Sequence, residues 1–214
     1  MKTDNLLLIV AVIAVVISIV SAGITYNYIT SLRNRLTGFA SYGMINLTIE
    51  ESAAINFTDN MLNWSSGRVS DGYDSALLDT TNDTDANVTG GNWTGVTHGL
   101  IVENIGNKNV SFFLKSTEDN ESMIGGAADG GPLLRWKVTI NDTEASCNFS
   151  GGGTVNNTWA DVNKSGADPG TQFCDQFYFE SNRDQLEIDF FLKIPQDSLT
   201  GDRGSTIIAT FNSV

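Results

Sequence analysis

The sequence predicts an α+β chain: a long N-terminal hydrophobic α-helix over residues 1–43, then a predominantly antiparallel β-sandwich over residues 44–214. Three observations carry this. Residues 6–24, LLLIVAVIAVVISIVSAGI, contain no charge. Helical periodicity does not return after residue 43. From there, short alternating or β-rich runs are separated by Gly-Asn, Gly-Gly and Asp-Gly clusters, the residues that turns require.

As a helix, the apolar run spans roughly 28 Å, about one bilayer core. Having no polar side, it has to be buried in lipid or among other apolar helices. Beyond it, Ile29, Leu32, Leu36 and Phe39 recur at three- and four-residue spacing among Arg33, Asn34 and Arg35. This extends one helix from about Asp4 to Ala40, on the order of 50 Å, ending near Gly38 and Gly43. The residues expected to pack helix against helix are Leu6, Ile9, Ile13, Val16, Val20, Ile24, Ile29, Leu32, Leu36 and Phe39. Two readings of the segment stand side by side. In one it is a cleaved secretory signal, with Lys2 ahead of the apolar run and Val20-Ser21-Ala22 as the cleavage site; in the other it is a retained helix, favoured by the periodicity past that site. The positive-inside rule would hold Arg33 and Arg35 in the cytoplasm, but the character of the following domain places it outside.

That character is set first by Asn-x-Ser/Thr sequons, at Asn46, Asn56, Asn63, Asn82, Asn87, Asn92, Asn109, Asn120, Asn141, Asn148, Asn156 and Asn163. With 21 Asn and 40 Ser+Thr in 214 residues, random order gives 21 × 40/214, about 4, where 12 occur. The excess points to a glycan-bearing extracellular domain, inserted through the cytoplasmic membrane by the N-terminal helix; the alternative is that Asn, Ser and Thr are abundant because an all-β domain has polar faces and turns, with some sequons unused. An inward-pointing Asn in a strand is excluded from modification. Cys147 and Cys174, 27 residues apart, enclose a Gly- and Asn-rich stretch poor in apolar residues. In an oxidising compartment they read as a disulfide that restricts the unfolded chain by about 3 kcal/mol; the alternative is two unrelated buried thiols.

Strands are expected at residues 44–49 (MINLTI), 53–58, 100–104, 109–114, 133–140, 173–180, 186–194 and 205–211, enough for an Ig-like sandwich. LIVENIGNKNVSFFL reads as a hairpin turning at Gly106-Asn107, with Ile101, Phe112 and Leu114 on its core face. The last two strands are joined through Pro195 and Gly201-Asp202. Residues 70–99 are polar, carry three sequons and read as a decorated loop on the outer face.

Composition excludes several function classes. With 25 Asp+Glu against 12 Lys+Arg, a net charge of -13 and no basic run, the chain lacks the means to hold a phosphate backbone, so nucleic acid is not a partner. One histidine and two cysteines are too few for zinc, haem or iron–sulfur ligation. His98 is the only base for a Ser-His-Asp triad, and no nucleophile-elbow pattern accompanies it, so no catalytic residue and no enzyme activity are expected. Asp83-x-Asp85-x-Asn87 resembles the start of a calcium loop, but the glycine and closing glutamate are missing. Glu50 and Glu51 would point to opposite faces of a strand. No metal or other cofactor is expected, only N-linked glycans. Trp64, Trp93, Trp136 and Trp159 are spread over irregular sequence and read as core or loop anchors rather than a sugar platform.

An apolar N-terminal helix leading into a sequon-rich all-β domain resembles the layout of archaeal type IV pilin-like proteins, which include archaeal flagellar filament subunits. The passage Val102-Glu103-Asn104-Ile105-Gly106-Asn107-Lys108-Asn109-Val110 and the ending with Pro195, Gly201 and an Ile-Ala-Thr-Phe strand are similar to archaeal surface β-sandwiches. The resemblance implies a structural filament subunit whose helices pack in the core and whose glycosylated domains form the exterior. Its partners would be copies of itself, after residence in the membrane. Met1-Lys2-Thr3-Asp4-Asn5 departs from the basic leader of such precursors. A signal-anchored adhesin or surface-layer glycoprotein is the other reading.

Overall fold

The computed structural model describes residues 3–36, 46–81, 87–148, 158–164 and 169–214. The chain forms two compact units, Met1–Thr48 and Ile49–Val214.

The first unit is helix α1, Thr3–Leu36. Its amphipathic extension runs through Leu36; Phe39, Ala40 and the two expected terminal glycines lie outside the described residues. Three hydroxyls within α1 bond back along the helix. Ser18 Oγ donates to the Ala14 carbonyl at 2.9 Å, Thr25 Oγ1 to Ser21 at 2.9 Å and Thr30 Oγ1 to Tyr26 at 2.8 Å. These three hydroxyls are satisfied one turn back, which suits a helix in apolar surroundings.

The second unit has two antiparallel sheets. The larger contains β1 (Ile55–Asp59), β2 (Ser75–Asp79), β3 (Val88–Thr89), β4 (Leu100–Asn104), β6 (Leu133–Ile140), β8 (Ala160–Asp161) and β10 (Gln185–Pro195). The smaller has the order β11 (Ile207–Ser213), β5 (Val110–Ser116), β9 (Thr171–Phe177), β7 (Cys147–Asn148). A one-turn helix, α2 (Asn120–Met123), lies between β5 and β6. Both sheets contribute to one apolar core, including Val102, Phe112, Leu114, Trp136, Phe173 and Ile188. The aromatics there meet edge to face, Phe112 with Phe177 at 5.7 Å and Trp136 with Phe173 at 5.3 Å between ring centroids. That geometry places the positive ring edge on the negative face.

Strand β10 organises the larger sheet. One of its edges pairs throughout with β6, from Leu186↔Ile140 to Lys193↔Leu133. The other edge is shared: Gln185 to Ile188 pair with β4, and Phe191 to Pro195 pair with β2. At the fork, Thr80 takes over the ladder. Its N–H donates to the Phe190 carbonyl at 3.0 Å, and its hydroxyl accepts from Phe190 N at 2.9 Å while donating to Asp189 Oδ1 at 2.8 Å. Gly99 stands on the other side of the fork, where any Cβ would strike the Ile188 carbonyl.

Several expectations need correction. The passage around Gly106-Asn107 is not a hairpin, because β4 pairs in the larger sheet and β5 in the smaller. The buried Asn104 amide makes the corner, donating from Nδ2 to the carbonyls of Lys108 at 3.0 Å and Phe177 at 3.1 Å. One partner lies in the connection itself and the other at the end of β9 in the smaller sheet, so the chain changes layer there. Leu100 and Val102, not Ile101, face the core. Likewise Pro195 ends β10, but the turn after it leads into the other sheet. Residues 70–99 are not an outer loop throughout: β2 lies within the sheet, with Ala76 and Leu78 buried. In the run expected as a strand at 44–49, the described residues 46–49 form neither helix nor strand, and residues 44–45 lie outside the described residues.

Candidate functional site

Three features of the described residues bear on function: the surface of α1, the sequon-bearing surface of the second unit, and a cleft between its sheets. Residues 9–31 of α1 are exposed all round, including Ile9, Ile13, Val16, Val20, Ile24 and Ile29 from the expected packing set. Side chains at Leu6, Leu32 and Leu36, and Phe39 altogether, lie outside the described residues. The span Ile9–Ser31 is long and apolar enough to cross a membrane. Because the apolar residues occupy every side of the helix, no rotation about its axis hides them from water.

The sequon asparagines fall into classes. Asn46, Asn56, Asn63, Asn92, Asn141 and Asn163 are exposed. Asn109, Asn120 and Asn148 are half-buried, with Asn120 Nδ2 donating to the Pro132 carbonyl at 2.9 Å. Asn87 is buried, and its Nδ2, the atom a glycan would occupy, donates to the Val96 carbonyl at 2.6 Å. Asn82 and Asn156 lie outside the described residues. Cys147 and Cys174 form a disulfide with Cα atoms 5.9 Å apart, joining β7 to β9. It fastens a two-residue edge strand to the smaller sheet.

The cleft, about 1020 Å³, opens where β1 ends and β11 begins. Phe57, Leu78, Leu100, Phe190 and Leu192 form its apolar floor, residues 60–69 and 198–207 its walls, and Arg68, Asp202 and Arg203 are among its polar lining. Trp64 and Trp93 lie on one wall. Trp93 stacks where Gly67 and Gly91 have no side chains, and a Cβ at either glycine would enter its ring. Trp64 Nε1 is buried without a hydrogen-bond partner among the described residues. The other tryptophans are elsewhere: Trp136 is in the core, and Trp159 lies near Phe191, with Lys137 Nζ 5.0 Å from its ring centroid.

The remaining candidates do not converge. His98 Nδ1 lies 3.4 Å from Asp59 Oδ2 and 3.3 Å from the Gly99 carbonyl. Asp83 and Asp85 lie outside the described residues, and Asn87 turns its amide to Val96. Among the described residues, no group of three or more His, Cys, Asp or Glu is placed to hold a metal. Two carboxyls are nevertheless raised. Burial pushes Asp189 above the ordinary carboxylate range, against the hydrogen bond from Thr80. Burial, and then the charges of Asp142 and Glu103, push Asp184 up. Asp189 sits at the fork of β10, so its protonation is tied to the ladder rather than to an open site.

The cleft and the Asp189 network were not legible in the sequence. Residues 60–69 and 198–207 are far apart in the chain, and no local motif marks their meeting. A buried Asp in the alternating run LEIDFFLKI is the one available signal. No family model, curated protein or solved structure matches the chain.

Proposed function

We propose that the chain is a structural subunit of an extracellular, pilus-like filament of the archaeal type IV pilin-like kind. One observation carries the reading: an apolar helix exposed on every side over residues 9–31 belongs to the same chain as a separately packed, sequon-rich β-domain. Copies of α1 bury one another in the filament core after residence in the membrane, with Ile13 and Val16 among the buried positions. The two-sheet domain, read as an Ig-like sandwich, forms the exterior. Its glycans sit on Asn46, Asn56, Asn63, Asn92, Asn141 and Asn163, while Asn87 stays unmodified. Net negative charge and sugars keep the outer surfaces solvated and apart. The role is non-enzymatic and needs no cofactor.

The tryptophan-walled cleft favours a second reading, a membrane-anchored adhesin in which each copy acts alone and the cleft takes a ligand. Sedimentation after detergent removal separates the two. The filament reading expects the wild-type chain to pellet as ordered polymer and Ile13→Asp to stay dispersed, since a buried unpaired carboxylate costs several kcal/mol per copy. Polymer formed equally well by Ile13→Asp would remove α1 from the core.

A further inference from the structure

We infer that the cleft is the acceptor for the segment at residues 46–51 of a second copy, Asn-Leu-Thr-Ile-Glu-Glu, an inference that rests on the filament reading and adds to it a contact between the segment entering one β-domain and the cleft of another. The donor is a strand sequence without a ladder. Leu47 and Ile49 alternate with Asn46, Thr48 and Glu50, yet are 79% and 75% exposed. An alternating strand buries one face only when it is paired. The acceptor supplies what the donor lacks. Its floor is apolar, and the strands beside its mouth, β1 and β11, each have a single ladder partner among the described residues, β4 and β5. Their second edges can receive backbone hydrogen bonds from an added strand.

Charge selects the same occupant. In a chain of net charge -13, the cleft lining carries Arg68 and Arg203 against Asp202. In the donor, Glu51 is held by Lys108 of its own copy, and the exposed Glu50 is the carboxylate that meets the lining. A peptide with alternating aliphatic residues and an exposed carboxylate therefore matches both floor and lining.

Geometry makes the donor come from another copy. The chain enters the domain at the corner between β4 and β5. There Asn107 Nδ2 donates to the Glu50 carbonyl at 2.9 Å, Ser52 N donates to Asn107 Oδ1 at 2.7 Å, and Lys108 pairs with Glu51 at 2.7 Å. The cleft opens at the opposite end of β1, a five-residue strand about 17 Å long. Leu47, three residues from the Glu50 anchor, reaches roughly 10 Å at full extension. The segment thus falls short of its own cleft. The Glu50 anchor of the donor and the acceptor cleft lie at opposite ends of β1, so the contact is head to tail and propagates instead of closing on a pair.

The test is titration of a fluorescein-labelled peptide of residues 44–51, MINLTIEE, into the full chain held as single copies in detergent micelles. Anisotropy of the label reads binding. Saturable binding is expected, lost when the peptide carries Ile49→Asp. It should weaken by roughly tenfold when the chain carries Arg68→Glu with Arg203→Glu, two exposed substitutions that leave the core untouched. No saturable binding, equal binding of the Ile49→Asp peptide, or a cleft that takes an oligosaccharide but not the peptide would each overturn the inference. Because micelles keep the copies apart, this result stands separately from whether filaments form.

Discussion

Helix α1 and the β-domain use the same aliphatic residues and dispose of them in opposite ways. Ile13 and Val16 are each 53% exposed, whereas Val102, Leu114 and Ile188 are fully buried. The difference is one of period. Strand β10 alternates, so Leu186, Ile188, Phe190 and Leu192 share one face and a second sheet covers it. In α1 aliphatic residues fall on every side, so no face is left for water and no single neighbour can cover it. The β-domain has a core of its own, and in the proposed filament burial of the helix is supplied by lipid and then by other copies.

That contrast can be broken one region at a time. The largest expected effect within the β-domain is from Phe112→Ala, which empties a site shared by both sheets and should cost about 3–5 kcal/mol. Chemical denaturation followed by tryptophan emission measures it, and the helical circular dichroism of α1 should persist through the transition. Loss of helix in the same transition would mean that the regions are not independent. Replacing Cys147 and Cys174 by Ser should cost about 3 kcal/mol, the loop-closure contribution of a bridge spanning 27 residues. An unchanged denaturation midpoint would leave the bridge without a stabilising role.

A smaller effect depends on pH. The folded-state value of Asp189 is raised by burial, so its carboxyl favours the fold in the protonated form. Stability linked to it is present below the ordinary Asp value and is lost as pH rises through the raised one. Asp189→Asn removes that loss while retaining a polar partner for Thr80. Its melting temperature should exceed that of the wild type by a few degrees near neutral pH, with the gap closing as the medium is acidified below the ordinary Asp value. A gap independent of pH would mean that charge burial is not the cause.

Particular strands show where the sequence was readable. Strands β4 and β6 lie at the expected residues because a β-rich run flanked by turn residues is a local signal. Strand β2, SALLD, was missed because only Ala76 and Leu78 mark its buried face within a polar stretch. The corner at Gly106-Asn107 was mistaken for a hairpin because turn chemistry reports a reversal and not which sheet receives the next strand. The bonds that decide this run from Asn104 to Lys108 and Phe177, the latter 73 residues away. Of the proposed glycan sites, the sequons are visible as motifs, but the burial of Asn87 depends on its contact with Val96.

The central claim is that burial of α1 comes from other copies of the chain. Electron microscopy of the full chain after detergent removal tests it most directly. Helically ordered filaments are expected, with a rod of close-packed helices on the axis and β-domains outside. Single copies that remain bound to detergent or lipid, with no ordered polymer, would contradict it.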